Sequence, residues 1–241
     1  MTDSPHRPAA PPPEDPDPRE MGGGARSLRF VATLGGGGIL AGLLIVGVYH
    51  ATLPAIEAHR AARLAAAVEE VLGAPDSFRT LYLVDGELQA DLPADADPQA
   101  FERVHPGYRE DGSLIGYAVE GAKPGFQDVI EVLFGYDPRT EQVLGMRVLR
   151  HMETPGLGDK IITDHDWVRQ FEGAEPPLVD RKPGEAQEPH EIDMITGATI
   201  SARTVMLAIN DALERWGPIL ESHARRAPLR EGNGGPPGGG P

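Results

Sequence analysis

From Phe30 to Leu53 the chain reads FVATLGGGGILAGLLIVGVYHATL, with no Asp, Glu, Lys or Arg. About 20 apolar residues suffice to span a bilayer as a helix, so this run predicts a transmembrane helix. Gly35–Gly38 weaken helix propensity, but glycine is tolerated in membrane helices. The alternative is a cleaved signal peptide. Its apolar core would exceed the usual length, and no small-x-small cleavage site follows directly. Arg19, Arg26 and Arg29 precede the run and Arg60 and Arg63 follow it, an asymmetry that favours a cytoplasmic N-terminus.

Beyond the run, Ala55–Gly73 places apolar residues at Ile56, Leu64, Val68, Val71 and Leu72 and ends in Gly73 before Pro75, the pattern of a helix with a stop signal. Short β-branched and aromatic runs follow around Leu81, Tyr117, Val132 and Met146. The last two flank DPRTE, Asp137–Glu141, and predict a hairpin. DHDWVRQFEG predicts a short helix closed by Gly173, and the Pro-rich EPPLVDRKPGEAQEPHE reads as loop or edge. In Thr204–Trp216, the residues Val205, Ala208, Ile209, Ala212, Leu213 and Trp216 share one face at the helical period. Residues 1–29 are rich in Pro, Ala, Asp and Glu and lack a hydrophobic pattern, which predicts disorder. The Gly/Pro-rich end from 223 to 241 is expected to be a flexible tail. There is no internal repeat.

Composition narrows the chemistry. The 241 residues carry a net charge of −15, so nucleic acid is not an expected partner. The absence of cysteine excludes disulfides, thiolate zinc sites, cysteine-ligated iron–sulfur clusters and CxxCH haem attachment. No metal site is expected.

Two stretches remain that carry chemistry. HMETPGLGDKI, His151–Ile161, is punctuated by Pro155, Gly156 and Gly158 and places Leu157 between two glycines. By composition it reads first as a tight turn with Leu157 plugging the core, and otherwise as a loop offering amides and one apolar side chain to a flat ligand. DMITGAT, Asp193–Thr199, stands just before the amphipathic helix. Thr199 or Ser201 would serve as an N-cap. The same place suits a phosphate, because a helix start offers unpaired N–H groups and partial positive charge.

DMITGAT fits the pattern Asp-x-x-Ser/Thr-Gly-Ala-Ser/Thr of bacterial FMN-binding domains at every specified position, and ETPGLGDKI resembles the second signature of that family. In order and layout, with an anchor upstream, the chain resembles G subunits of Rnf-type electron transport complexes. It is similar, less closely, to C subunits of sodium-translocating NADH:quinone reductases. The resemblance implies an α+β fold, a mainly antiparallel sheet with packed helices preceded by one transmembrane helix. It implies an extracytoplasmic FMN-binding domain over 54–222, after the anchor at 30–53 in the cytoplasmic membrane. It implies FMN joined through its phosphate to Thr199 by a flavin transferase that uses FAD and releases AMP. Asp193, Thr196, Gly197 and Ala198 are the other motif positions, and Asp193 is the one the transferase needs. Glu153, Thr154, Gly156, Leu157 and Gly158 correspond to the loop lying against the flavin. The implied partners are the other subunits of an ion-translocating ferredoxin:NAD oxidoreductase complex, in which the chain is an electron relay rather than a complete enzyme. No catalytic residue is expected, since the cofactor carries the redox chemistry. A quinone-reductase-type subunit, a standalone anchored flavoprotein reductase and a non-redox anchored binding module remain as alternatives.

Overall fold

A computed structural model of the chain describes residues 23–93 and 96–226. Helix α1, Gly23–Val71, contains the whole apolar run and passes through Pro54. The two helices expected on either side of Pro54 are therefore one. Proline forfeits a single helical hydrogen bond, at a cost of roughly 3 kcal/mol, which the long helix-forming stretches on both sides offset. Among the described residues, the helical stretch Leu28–Val71 is long and apolar enough to cross a membrane. The chain divides into two compact units, the first ending at Arg60 and the second beginning at Ala61.

The second unit contains an antiparallel sheet. Its strands are β1 (Ser77–Phe78), β2 (Leu81–Val84), β3 (Glu87–Gln89), β4 (Arg103–Tyr108), β5 (Leu114–Pro124), β6 (Val129–Asp137) and β7 (Gln142–Arg150). They are ordered β3-β2-β4-β5-β6-β7, with β1 also on β4. The short helices α2 (Lys160–Thr163) and α3 (His165–Arg169) follow β7. A separate parallel pair, β8 (Val179–Arg181) and β9 (Glu191–Asp193), precedes the long helix α4, Thr199–Arg226.

The period of two along the central strands sorts side chains between the two faces. Tyr117 and Val119 of β5 and Ile130, Val132, Phe134 and Tyr136 of β6 join Val205, Ile209, Leu213 and Trp216 of α4 in the larger core. Each such fully buried Val, Ile or Phe contributes roughly 1.5–3 kcal/mol. On the opposite face Ala118 and Leu133 pack with Ala67, Val68, Val71 and Leu72. Gly135 permits that approach, because a Cβ there would collide with the Val71 carbonyl oxygen.

The fold is α+β with a mainly antiparallel sheet, and β6–β7 is the expected hairpin. Both helical ends reach further than the sequence pattern suggests. Gly23–Arg29, expected in the N-terminal tail, belongs to α1, where Ala25 and Leu28 are good helix formers. His223–Arg226, expected in the C-terminal tail, belongs to α4. Basic residues in a last turn suit the helix dipole, and Arg225 pairs with Glu221 at 3.1 Å. The rest of both expected tails, 1–22 and 227–241, lies outside the described residues.

Candidate functional site

Three segments meet at one end of α4. The loop after β7 leads into α2, which packs against both β7 and α4. The turn between β5 and β6 closes through Gly125 N donating to Asp128 O at 2.8 Å. Strand β9 delivers the third segment, Met194–Ala198, straight into α4.

Glu153 ties the first two to the first turn of α4. It is 5% exposed. Its Oε1 accepts from Phe126 N at 2.9 Å and Gln127 N at 3.1 Å, and its Oε2 accepts from Ser201 Oγ at 2.6 Å. Thr154 adds a parallel link, its Oγ1 accepting from Gln127 Nε2 at 2.5 Å. The loop then tightens through Leu157 N donating to Thr154 O at 3.1 Å, and Gly156 takes φ +77°. Gly158 is buried, and a Cβ on it would lie 2.7 Å from Glu153 Cβ and 2.9 Å from Ser201 Oγ. Leu157 is 51% exposed and does not plug the core. Its Cδ2 faces Gly197, 3.7 Å from where a Cβ would stand.

The DMITGAT segment is fixed from its first residue. Asp193 Oδ1 accepts from Glu185 N at 3.1 Å and Ala186 N at 2.9 Å. Its backbone N donates to Gln170 Oε1 at 2.8 Å, and its carbonyl accepts from Trp167 Nε1 at 2.7 Å. Lys160 Nζ donates to the Thr196 carbonyl at 3.0 Å, tying the two sequence stretches together. Gly197 takes φ +84°, a left-handed conformation that L side chains resist. Ala198 is buried, whereas Thr196, Gly197 and Thr199 are exposed.

The capping role expected of Thr199 or Ser201 does not hold. Ala198 stands at the cap position, its carbonyl accepting from Ala202 N at 2.9 Å, and it has no polar side chain. Thr199 Oγ1 donates to Ile195 O at 3.5 Å, the outer limit for such a bond, and Ser201 Oγ is engaged by Glu153. Among the described residues no side chain accepts from the first amides of α4.

A groove of about 390 Å³ opens beside Thr199, lined among others by Arg181, Lys182, Met194 and Arg203. Arg203 lies one turn along α4 from Thr199 and bonds Asp180 at 2.5 Å. That hydrogen bond holds the Asp180 carboxyl below the usual carboxylate range. Arg203 is a site residue that the sequence reading missed, although its spacing of four from Thr199 on a helix is a usable signal. Ser201, Gln127 and Lys160 were also missed. Ser201 looked like a cap, and Gln127 lies 27 residues from its partner Thr154.

Residues 125–214 match the family model described as FMN-binding domain. The G subunit of the ion-translocating oxidoreductase complex from Haemophilus influenzae (strain PittEE) is 30% identical over 183 residues, covering 74% of this chain and 84% of the relative. The corresponding subunit from Vibrio vulnificus (strain YJ016) is 37% identical over 125 residues, 47% of this chain and 56% of the relative. The chain thus spans little more than half the length of that second relative. The crystal structure of Shewanella oneidensis NqrC shares the fold, with a TM-score of 0.57 at 20% identity, covering 70% of this chain and 100% of that chain.

Proposed function

Since the chain belongs to the G-subunit family of ion-translocating oxidoreductase complexes, we propose that it carries FMN as a phosphoester on Thr199 and relays electrons between neighbouring subunits of such a complex. The observation that carries this reading is Thr199, an exposed residue at the start of α4, where no side chain among the described residues caps the first amides. The surroundings fit the group. The helix start compensates phosphate charge, and Lys182 and the Arg203–Asp180 pair line the adjoining groove. Leu157, Met152 and Ile200 are exposed apolar side chains on the loop and the first turn of α4, suited to a flat aromatic ring. Lys160 keeps the loop and the Thr196 carbonyl in register.

A flavin transferase forms the ester with FAD as donor. The bond from Thr199 Oγ1 to the FMN phosphorus forms, the phosphorus–oxygen bond to AMP breaks, and the hydroxyl proton is released. Bound FMN supplies one- and two-electron transfer. The chain itself supplies the attachment hydroxyl, the charge compensation and the apolar cover. Thr199→Ala co-expressed with the transferase should show no FMN increment by intact mass, while Thr199→Ser retains some, because a hydroxyl remains. An adduct of unchanged yield on the alanine variant sinks the assignment.

Membrane anchoring is part of the same reading. In the apolar part of α1, Leu34, Ile39, Leu43, Ile45 and Val48 are all exposed. Lipid is the solvent that suits them. Arg19, Arg26 and Arg29 favour a cytoplasmic N-terminus and hence an extracytoplasmic domain. A C-terminal reporter active only in the cytoplasm should stay silent, and strong signal reverses the orientation.

A further inference from the structure

We propose that Glu153 is a positioning residue: its buried carboxylate pins the Thr154–Gly158 loop against the start of α4 without itself facing the cofactor. The proposal rests on FMN being carried at Thr199.

The two oxygens of the Glu153 carboxylate accept from three donors on two other segments, Phe126 N and Gln127 N from the β5–β6 turn and Ser201 Oγ from α4. These donors lie 27, 26 and 48 residues away in the chain, so no local turn explains the arrangement. Two glycines enclose the group. A Cβ on Gly125 would come within 2.6 Å of Oε1, and one on Gly158 within 2.7 Å of Oε2. A side chain bonded on both oxygens and flanked this closely is directed into the protein. Leu157, four residues on, is the one that reaches Gly197.

The connection has a consequence for the flavin loop. Phe126 is 66% exposed, so the turn it belongs to is open to water, and Glu153 is the acceptor that shields its amides. An acceptor shared between that turn and Ser201 fixes the height of the loop above the first turn of α4. Leu157 and Thr199 then keep a constant separation. Aspartate, one methylene shorter, does not span both partners. Glutamine does: its carbonyl oxygen takes the two amides and its amide group donates to Ser201 Oγ.

The competing role is electrostatic, a carboxylate that tunes the flavin potential directly. Glu153→Gln separates the two, because it removes the charge and keeps the connections. The full-length protein is co-expressed with the transferase as wild type, Glu153→Gln, Glu153→Ala and Ser201→Ala. Intact mass reports the adduct, hydrogen exchange reports the Phe126 and Gln127 amides, and spectroelectrochemistry reports the flavin band and midpoint potential. In Glu153→Ala the two amides should exchange about tenfold faster or more, and the flavin band and potential should both shift. Glu153→Gln should restore amide protection, band and potential to wild type. Ser201→Ala should shift band and potential in the direction of Glu153→Ala by a smaller amount. A raised potential in Glu153→Gln with protected amides overturns the proposal in favour of the electrostatic role. Unchanged exchange in Glu153→Ala overturns the pin itself. If the alanine variant does not fold, the glutamine and Ser201 arms still decide. A wild type without adduct overturns the FMN reading and the flavin part of this one, while the exchange comparison still reports the pin separately.

Discussion

The two chemistry-bearing segments are built alike at their ends and differently in what holds them. Each opens with an acidic residue whose carboxylate is consumed by backbone amides, Glu153 by Phe126 and Gln127, Asp193 by Glu185 and Ala186. Each closes near an exposed residue that a ligand can reach, Leu157 in the first and Thr199 in the second. The partners of Glu153, however, are 26 to 48 residues distant, whereas the amides on Asp193 lie only 7 and 8 residues away. The first segment therefore depends on the assembled sheet and α4. The second has its carboxylate satisfied locally, while its backbone is held from further away by Gln170, Trp167 and Lys160. Satisfying the acid and presenting the other end is one solution, in which the carboxylate finds its donors by a tertiary route in the first segment and by a local one in the second.

The sharpest way to break this comparison is to crowd the first pin. Gly158→Ala places a Cβ against Glu153 and Ser201, and both neighbours are themselves held by hydrogen bonds. Overpacking of this kind costs about 1–3 kcal/mol, and urea unfolding should register it with an unchanged m-value. A cost below about 0.5 kcal/mol would mean that the loop, the β5–β6 turn and α4 are not rigidly joined at Glu153.

The second pin should yield less, because its loop is local. Asp193→Ala removes the acceptor for two amides and should cost about 1–2 kcal/mol. Asp193→Asn keeps the single Oδ1 that both amides use and should cost less than half of that. Equal losses for the two variants would show that charge, rather than the acceptor position, holds the Glu185–Ala186 turn.

The presented residues should show the smallest effect on stability and still an effect on chemistry. Leu157→Asp changes a half-exposed side chain, so unfolding should move by no more than about 0.5 kcal/mol. With FMN on Thr199, the new anion opposes the charge gained on reduction and the midpoint potential should fall. A change on the order of 30 mV corresponds to about 1.4 kcal/mol for a two-electron couple. An unchanged potential and flavin spectrum in this folded variant would place the loop away from the cofactor.

What the sequence determined by itself was whatever repeats at a short period or breaks one. The face of α4 from Val205 to Trp216, the β6–β7 hairpin, the uncharged run and the two Gly-punctuated stretches were all legible, because each is a statement about neighbours a few residues apart. β4 was not: RVHPGY carries a proline and a glycine and follows no alternation, and it becomes a strand through pairing with β5 and β2. Nor was the division of labour inside the loop. Composition suggested Leu157 for the core, and packing leaves it half exposed; the resemblance placed Glu153 in the loop against the flavin, and packing buries its carboxylate. A buried carboxylate is costly without donors, and the donors for Glu153 stand on segments that only the folded sheet and α4 bring within reach. The hydroxyls before α4 follow the same logic. Local preference made Thr199 and Ser201 caps, but the helix begins one residue after Ala198, and the tertiary partner of Ser201 leaves Thr199 as the exposed residue.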